Sequence, residues 1–220
     1  MNIIVTGAAG ALGEAVADRL CEVGSRVALV DLIEGKQRPD RTWIRAADLA
    51  DPEEALKAIG GAAKWLGSID ALVHLVGGFE WKLVGDTTLA DWRTLYSANI
   101  EAAVSTIQAA RPHLEDDAAI VAVGASSAQP AGAGMAPYAA AKAGVARLCE
   151  ALAKELAPRR IRVNCILPSI IDTPLNRTDM PEADFAAWTS PAAIADAIQF
   201  LASPASRAVN GASLEVSNGA

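Results

Sequence analysis

A chain of 220 residues is long enough to bury one sizeable core and crowded for two. Its composition, 52% hydrophobic and poor in aromatics, excludes intrinsic disorder, while a net charge of -7 disfavours nucleic acid and anionic membrane surfaces as partners. Cys21, Cys149 and Cys165 are few, scattered and set in apolar segments, so they read as buried thiols of a reducing compartment. His74 and His113 have no Cys or carboxylate cluster around them, which gives no expectation of a metal site. Met1 leads straight into strand-like residues without a leader or spanning pattern, and a cytoplasmic protein is expected.

The first predicted element is a short β-branched strand, Asn2 to Val5, followed by the glycine-rich TGAAGALG of Thr6 to Gly13 and a helical pattern through Leu20. Strand, glycine turn and helix in that order suit a phosphate-binding opening: small residues let the backbone approach a pyrophosphate, and the helix N-terminus offers N–H groups and a positive dipole end. The alternative is a glycine turn with a purely structural role. A second strand, Arg26 to Val30, ends at Asp31, placed to accept hydrogen bonds from an adenosine ribose and to repel a 2'-phosphate. This favours NAD over NADP, although Lys36 and Arg38 keep NADP open and an ordinary turn aspartate is the plainer reading.

Thr42 to Ala46 can form a third strand leading to Asp48 and Leu49. Asp51, Pro52 and Glu54 then read as cap, first helical residue and capping-box partner of a helix whose Leu56, Ile59, Ala63 and Leu66 recur at helical spacing. Ile69 to Val76 is a nearly continuous apolar run, as in a central parallel strand, and stops at Gly77-Gly78; His74 within it reads more readily as a satisfied core histidine than as a catalytic one. Thr88 to His113 is a long or broken helical region in which Asn99 marks either exposure or a local break.

After a buried strand, Ala118 to Val123, comes the stretch that carries chemistry. Tyr138 and Lys142 are four apart on a predicted helix and share a face, where an ammonium beside a phenol would lower a pKa that is ~10 when unperturbed. Such a phenol is a usable proton donor and acceptor. A strand from Arg162 to Leu167 is closed by Pro168, Ser190-Pro191 opens a last helix through Ala202, and Ala212 to Val216 makes the final strand. The alternation predicts an α/β fold, a single doubly wound parallel sheet with helices on both faces, as one domain over residues 1–220. Only residues 169–190 are long and irregular, where a lid over a cofactor would close.

With TGAAGALG, Asp31, Asp48-Leu49, VGG, Asn99, Tyr138-x-x-x-Lys142 and RVNCILPSIIDTP in order, the chain resembles the short-chain dehydrogenase/reductase family over essentially its whole length. The resemblance implies a Rossmann fold and an NAD(P)-dependent oxidoreductase. It implies that Gly7, Leu12 and Gly13 hold the cofactor phosphates, Asp31 the ribose, Asp48 and Leu49 the adenine, and Val76 and Gly77 a further ribose contact. Ile171 and Thr173, after Pro168, would meet the carboxamide. Tyr138 would give the proton, Lys142 would hold the nicotinamide ribose, and Asn99 would steady a water beside Lys142. It further implies a homodimer or homotetramer through the Tyr138 helix, where Ala139, Ala143 and Ala146 permit close packing against a partner or against the chain's own sheet.

The departures from the family pattern are equally specific. Gly10 stands beside Ala11, where the family's glycine is usual, and the position of the usual catalytic serine is Ala125, followed by Ser126 and Ser127. Ala125, the VGG motif and DTPLNRTDMPEADFAAWTSP are similar to the dihydropteridine reductase branch. That branch implies a small carbonyl or quinonoid acceptor, with Ser126, Phe185 and Trp188 as candidate substrate contacts. Two alternatives stand beside this reading: a packed loop anchored by Phe185 and Trp188, and a non-catalytic NAD(H)-binding sensor or scaffold.

Overall fold

The computed structural model describes residues 1–35 and 37–218; Lys36 lies outside the described residues. The strands β1 (Asn2–Thr6), β2 (Arg26–Asp31), β3 (Arg41–Arg45), β4 (Ile69–His74), β5 (Leu114–Val123), β6 (Arg162–Pro168) and β7 (Ser213–Val216) form one parallel sheet in the order β3-β2-β1-β4-β5-β6-β7. β1 lies between β2 and β4, so the chain leaves it in opposite directions and a crevice opens at the carboxyl ends of the strands. Strands covered on both faces need apolar residues at every position, which is why ALVH and AAIVAV lack alternation.

The two faces follow from the period of two along each strand. Ile3, Val5, Val73 and Val121 pack under α1 (Ala11–Glu22) and the late helix α7 (Pro191–Ala202). Ile4, Leu72, Ile120 and Val163 pack on the other face, under α2 (Pro52–Leu66), α4 (Ala102–Ala110) and α5 (Ala136–Glu155). Before α4, Thr88 and Asp91 close a reciprocal capping box on α3 (Leu89–Tyr96). Between α3 and α4 the helix widens into a single π turn, Ser97–Glu101, which is the break that Asn99 left open. The segment 169–190 contains α6 (Pro174–Asp179) and a short 3-10 turn at Phe185–Ala187.

Several sequence expectations need correction. Leu56 is 58% exposed; the buried stripe of α2 runs through Ala55, Ala58, Ile59, Ala62, Ala63 and Leu66. Small alanines let α2 sit close to the sheet, and that sets its rotation. Asp51 caps α2 through the Glu53 N–H, but Glu54 turns back to accept from the Ala47 N–H at 3.3 Å and closes no box. Cys149 and Cys165 are buried thiols, whereas Cys21 is only half-buried. In α5, Ala139 and Ala146 are buried within the chain itself and Ala143 is half-buried.

Candidate active site

The first side of the crevice is the turn from β1 into α1. Gly7 has φ +73°, and a Cβ there would lie 2.9 Å from the Leu75 carbonyl carbon and the Val76 amide nitrogen, so only glycine lets this turn touch the end of β4. Gly13 packs as tightly, since its Cβ would come within 2.6 Å of the Ala8 Cα. Gly10 caps α1 without a side-chain hydrogen bond, and a Cβ there would meet only the Gly7 carbonyl oxygen, at 3.9 Å, with Ala11 exposed and Leu12 half-buried beside it. A helix start without a side-chain cap leaves first-turn N–H groups for an anion.

At the end of β2, Asp31 accepts from the Ala9 N–H at 2.9 Å and from the Leu32 N–H at 2.7 Å, which fixes its carboxylate beside the glycine turn. Asp48 is exposed and accepts from the Ala50 N–H at 2.8 Å. Leu49 turns its side chain into the core and is only 6% exposed, so it forms no side-chain wall for an adenine. Glycine turn, free helix N-terminus and strand-end carboxylate together fit a dinucleotide.

The second side lies where β4, β5 and α5 meet. Tyr138 and Lys142 stand on successive turns of α5, as their spacing predicts. The Lys142 Nζ donates to the Val123 carbonyl at the end of β5, at 2.9 Å. A Cβ on Gly77 would lie 2.7 Å from that Nζ and 2.6 Å from Asn99 Oδ1, so the absent side chain is what gives both groups their space. The Asn99 Nδ2 donates to the Leu95 and Gly78 carbonyls at 2.8 and 3.1 Å, which sets the orientation of the amide. Its Oδ1 is buried and has no hydrogen-bond partner among the described residues, an acceptor aimed at the space beside Gly77.

One electrostatic expectation is reversed. Lys142 does not lower the Tyr138 phenol here; burial pushes the phenol up to about 12. Burial likewise brings Lys142 down to about 8, its ammonium being held by a carbonyl rather than a carboxylate. His74 is a core histidine, as in the plainer reading, but only half satisfied: its Nδ1 pairs with the Thr6 hydroxyl at 2.9 Å, its buried Nε2 has no hydrogen-bond partner among the described residues, and burial with the Lys142 charge holds it down at about 3.

β6 and the segment after it close the crevice. The Ser126 N–H donates to the Pro168 carbonyl at 3.0 Å, tying the loop after β5 to the end of β6, while Ala125 is buried at 4% exposure. Ile171 pairs with Thr189, its carbonyl accepts from Asn176 Nδ2 at 2.8 Å, and the Thr173 hydroxyl caps α6. Arg177 grips Asp172 through two hydrogen bonds of 2.6 and 2.8 Å and lies 4.8 Å over the Phe185 ring. Phe185 in turn packs on Trp188 at 4.7 Å between ring centroids. Trp188 is only 6% exposed, which makes it an anchor of the segment rather than a surface for substrate.

The sequence reading missed Phe79 and Trp81. The Phe79 ring meets Tyr138 at 4.9 Å between centroids and 87° between planes, and Trp81 lies against Gly134 just before α5. Two aromatics directly beyond a central strand's carboxyl end were the available signal.

Known proteins share this fold. A family profile described as enoyl-(acyl carrier protein) reductase matches residues 7–220. The chain is 32% identical to cis-4-hydroxycyclohexanecarboxylate dehydrogenase of Sinomonas cyclohexanicum over 98% of its own length and 94% of that protein's. Among solved structures, 3-ketoacyl-(acyl-carrier-protein) reductase from Brucella melitensis complexed with NADH is similar with a TM-score of 0.89 at 26% identity, covering 97% of this chain and 95% of that one. A blue fluorescent protein from a metagenomic library, in complex with NADPH, gives 0.88 at 29% identity, with 99% and 97% covered. Likeness at this level from end to end, over the same sheet, leaves one assignment: the chain belongs to the short-chain dehydrogenase/reductase family and is an oxidoreductase.

Proposed function

We propose that the protein is an NAD(H)-dependent reductase that directs a hydride to a small carbonyl or quinonoid acceptor, with Tyr138 as proton donor. The observation that carries this reading is the convergence of the Lys142 ammonium and the unpartnered Asn99 Oδ1 around Gly77, one turn along α5 from Tyr138. Bound nicotinamide dinucleotide supplies the hydride, and the chain's own residues supply placement and the proton. Gly7, Gly10, Ala11, Leu12 and Gly13 would cradle the phosphates. Asp31 would take the ribose, Asp48 and the Leu49 backbone the adenine side, Val76, Gly77 and Lys142 the nicotinamide ribose, and Pro168, Ile171 and Thr173 the carboxamide. A phenol pushed up to about 12 is fully protonated at neutral pH, the form required of a donor in the reducing direction. Asn99 Oδ1 would accept from a water or from Lys142 and keep the ammonium in register.

The Asp31 carboxylate, fixed by two backbone N–H groups, supports NAD over NADP because a 2'-phosphate would meet a like charge. Residues 169–190 serve as the lid of the one domain in this reading, with Ser126 and Phe185 near its edge. Quinonoid dihydropterin is one acceptor to try, on the strength of Ala125 and the Asp172 to Pro191 stretch; the names of the relatives point instead to hydroxyl and carbonyl compounds. The buried thiols Cys149 and Cys165 support a cytoplasmic setting, and a homodimer or homotetramer through α5 and the Asn99 region completes the proposal.

The test is NADH oxidation against a panel of ketones, quinones and quinonoid dihydropterin, with NADPH and Tyr138→Phe alongside. Turnover that falls by at least 100-fold in Tyr138→Phe while NADH still binds is the expected result. Full activity in that variant, or NADPH preferred to NADH, would refute the corresponding half of the reading.

A further inference from the structure

Resting on the reading of Tyr138 as proton donor, we propose that the acceptor is a flat conjugated ring compound, held against Phe79 and Trp81. Both side chains stand in the open, Phe79 60% exposed against the Tyr138 ring and Trp81 59% exposed against Gly134, just before the Tyr138 helix. Exposed aromatics on a wandering loop would mean little, but this loop is tied down at three points. The Lys82 N–H donates to the Gly134 carbonyl at 2.7 Å, the Lys82 Nζ pairs with Asp91 at 2.9 Å, and the Trp81 indole covers Gly134. Gly134 has φ +78°, and a Cβ there would run into the indole, 2.7 Å from its Cζ2. The aromatic loop is thus fastened to the segment that leads into the Tyr138 helix, and the cost of leaving two large apolar rings uncovered is met at a fixed place.

The geometry selects for flatness. Phe79 and Tyr138 stand at 87°, so their rings form a corner in which a flat molecule lying parallel to one meets the other edge-on. A ring in which the C=O or C=N is conjugated also carries its own electrophilic activation. In the step, one ring atom takes a hydride, two electrons, from reduced nicotinamide, and the heteroatom of the same conjugated system takes the Tyr138 proton. The products are the dihydro ring, oxidised nicotinamide and a phenolate that is reprotonated from solvent.

The experiment uses Phe79→Leu and Trp81→Leu, both at exposed positions where folding is little affected, in two measurements. The first is calorimetric binding of oxidised pterin, a flat ligand without turnover, to the protein loaded with NAD. The second is the ratio of kcat/KM for 9,10-phenanthrenequinone to that for ethyl acetoacetate. The wild type is expected to bind the pterin and prefer the quinone, and each variant to weaken binding and lower the ratio about three- to tenfold, with the Kd for NADH within twofold of wild type. Absence of pterin binding by the wild type, preference for the open-chain ketone, or variants that match the wild type in both measurements would overturn the proposal. So would variants whose mass in solution drops, since Phe79 and Trp81 would then be covered by a second copy. Tyr138→Phe separates this failure from failure of the broader reading: phenol-dependent turnover of ethyl acetoacetate in preference to the quinone defeats only the flat-ring proposal.

Discussion

Two single positions act through space and charge rather than by reacting. Gly77 is the clearest: Gly77→Ala would push a methyl between Asn99 Oδ1 and the Lys142 Nζ. Because a lysine tip can move aside, the variant should fold, yet displacing the ammonium by about 1 Å is expected to lower kcat on the order of 100-fold. Urea unfolding and steady-state kinetics together check this, and near wild-type kcat would show that Lys142 needs no fixed position. His74 acts on stability. Its pKa is held at about 3 in the fold, so between about 6.5 and 3 the unfolded chain takes up a proton that the native protein refuses. Native stability from this group therefore falls as pH drops through that window, by about 1.4 kcal/mol per pH unit. Between pH 7 and pH 5 the wild type should lose about 2 kcal/mol more than His74→Asn, and an equal loss in both would show that His74 does not report its burial. Tyr138 and Lys142 were legible from sequence because an i, i+4 pair needs only a helix to meet. The corner made by Phe79 and Tyr138 was not, because it depends on the loop after β4 folding onto Gly134, a contact across more than fifty residues that no local pattern encodes.

Among the elements, the strands were readable because a parallel strand covered on both faces must be apolar throughout, as Ile69–His74 and Leu114–Val123 largely are. The rotation of α2 was misread because its stripe is mostly alanine, so one leucine in the wrong phase outweighed several small residues in the right one. The segment after β6 shows a different limit. Its unusual residues suggested substrate contacts, but the chain Asp172, Arg177, Phe185, Trp188 is a strap of ion pair, cation–π contact and ring packing that holds α6 and the turn after it. Burial at 6% exposure supports the anchoring role for Trp188. Trp188→Ala should lower stability by about 3 kcal/mol in urea denaturation, the usual cost of emptying a buried aromatic site. Phe185→Ala, at a half-buried position, should cost well under half of that. Equal small losses with a raised KM for the acceptor would return Trp188 to the substrate site.

At the scale of the whole molecule, the crevice exists because β1 sends the chain in opposite directions to β2 and β4, so the residues proposed to hold the cofactor's adenosine side and the proposed proton donor belong to different halves of one sheet. Asp31, at the end of β2, and Lys142, on the helix between β5 and β6, are joined only through that sheet and through whatever ligand spans it. A ligand that binds the native chain across both halves stabilises the whole fold by mass action, about 2.7 kcal/mol at 100 times its Kd. For a chain of this size that corresponds to a rise in melting temperature of about 5–10 °C. NADH should therefore move one cooperative transition rather than split it, and, on the proposed role of Asp31, NADPH should move it less because its extra phosphate would meet that carboxylate. Asp31→Ala isolates the second effect, since removing the carboxylate weakens the ribose contact for NADH and relieves the repulsion for NADPH, so the two shifts should converge. A variant that kept the full difference between the two cofactors would place the discrimination elsewhere than at the end of β2. Two separate transitions, with only one moved by NADH, would instead show that the halves of the sheet do not respond as a unit.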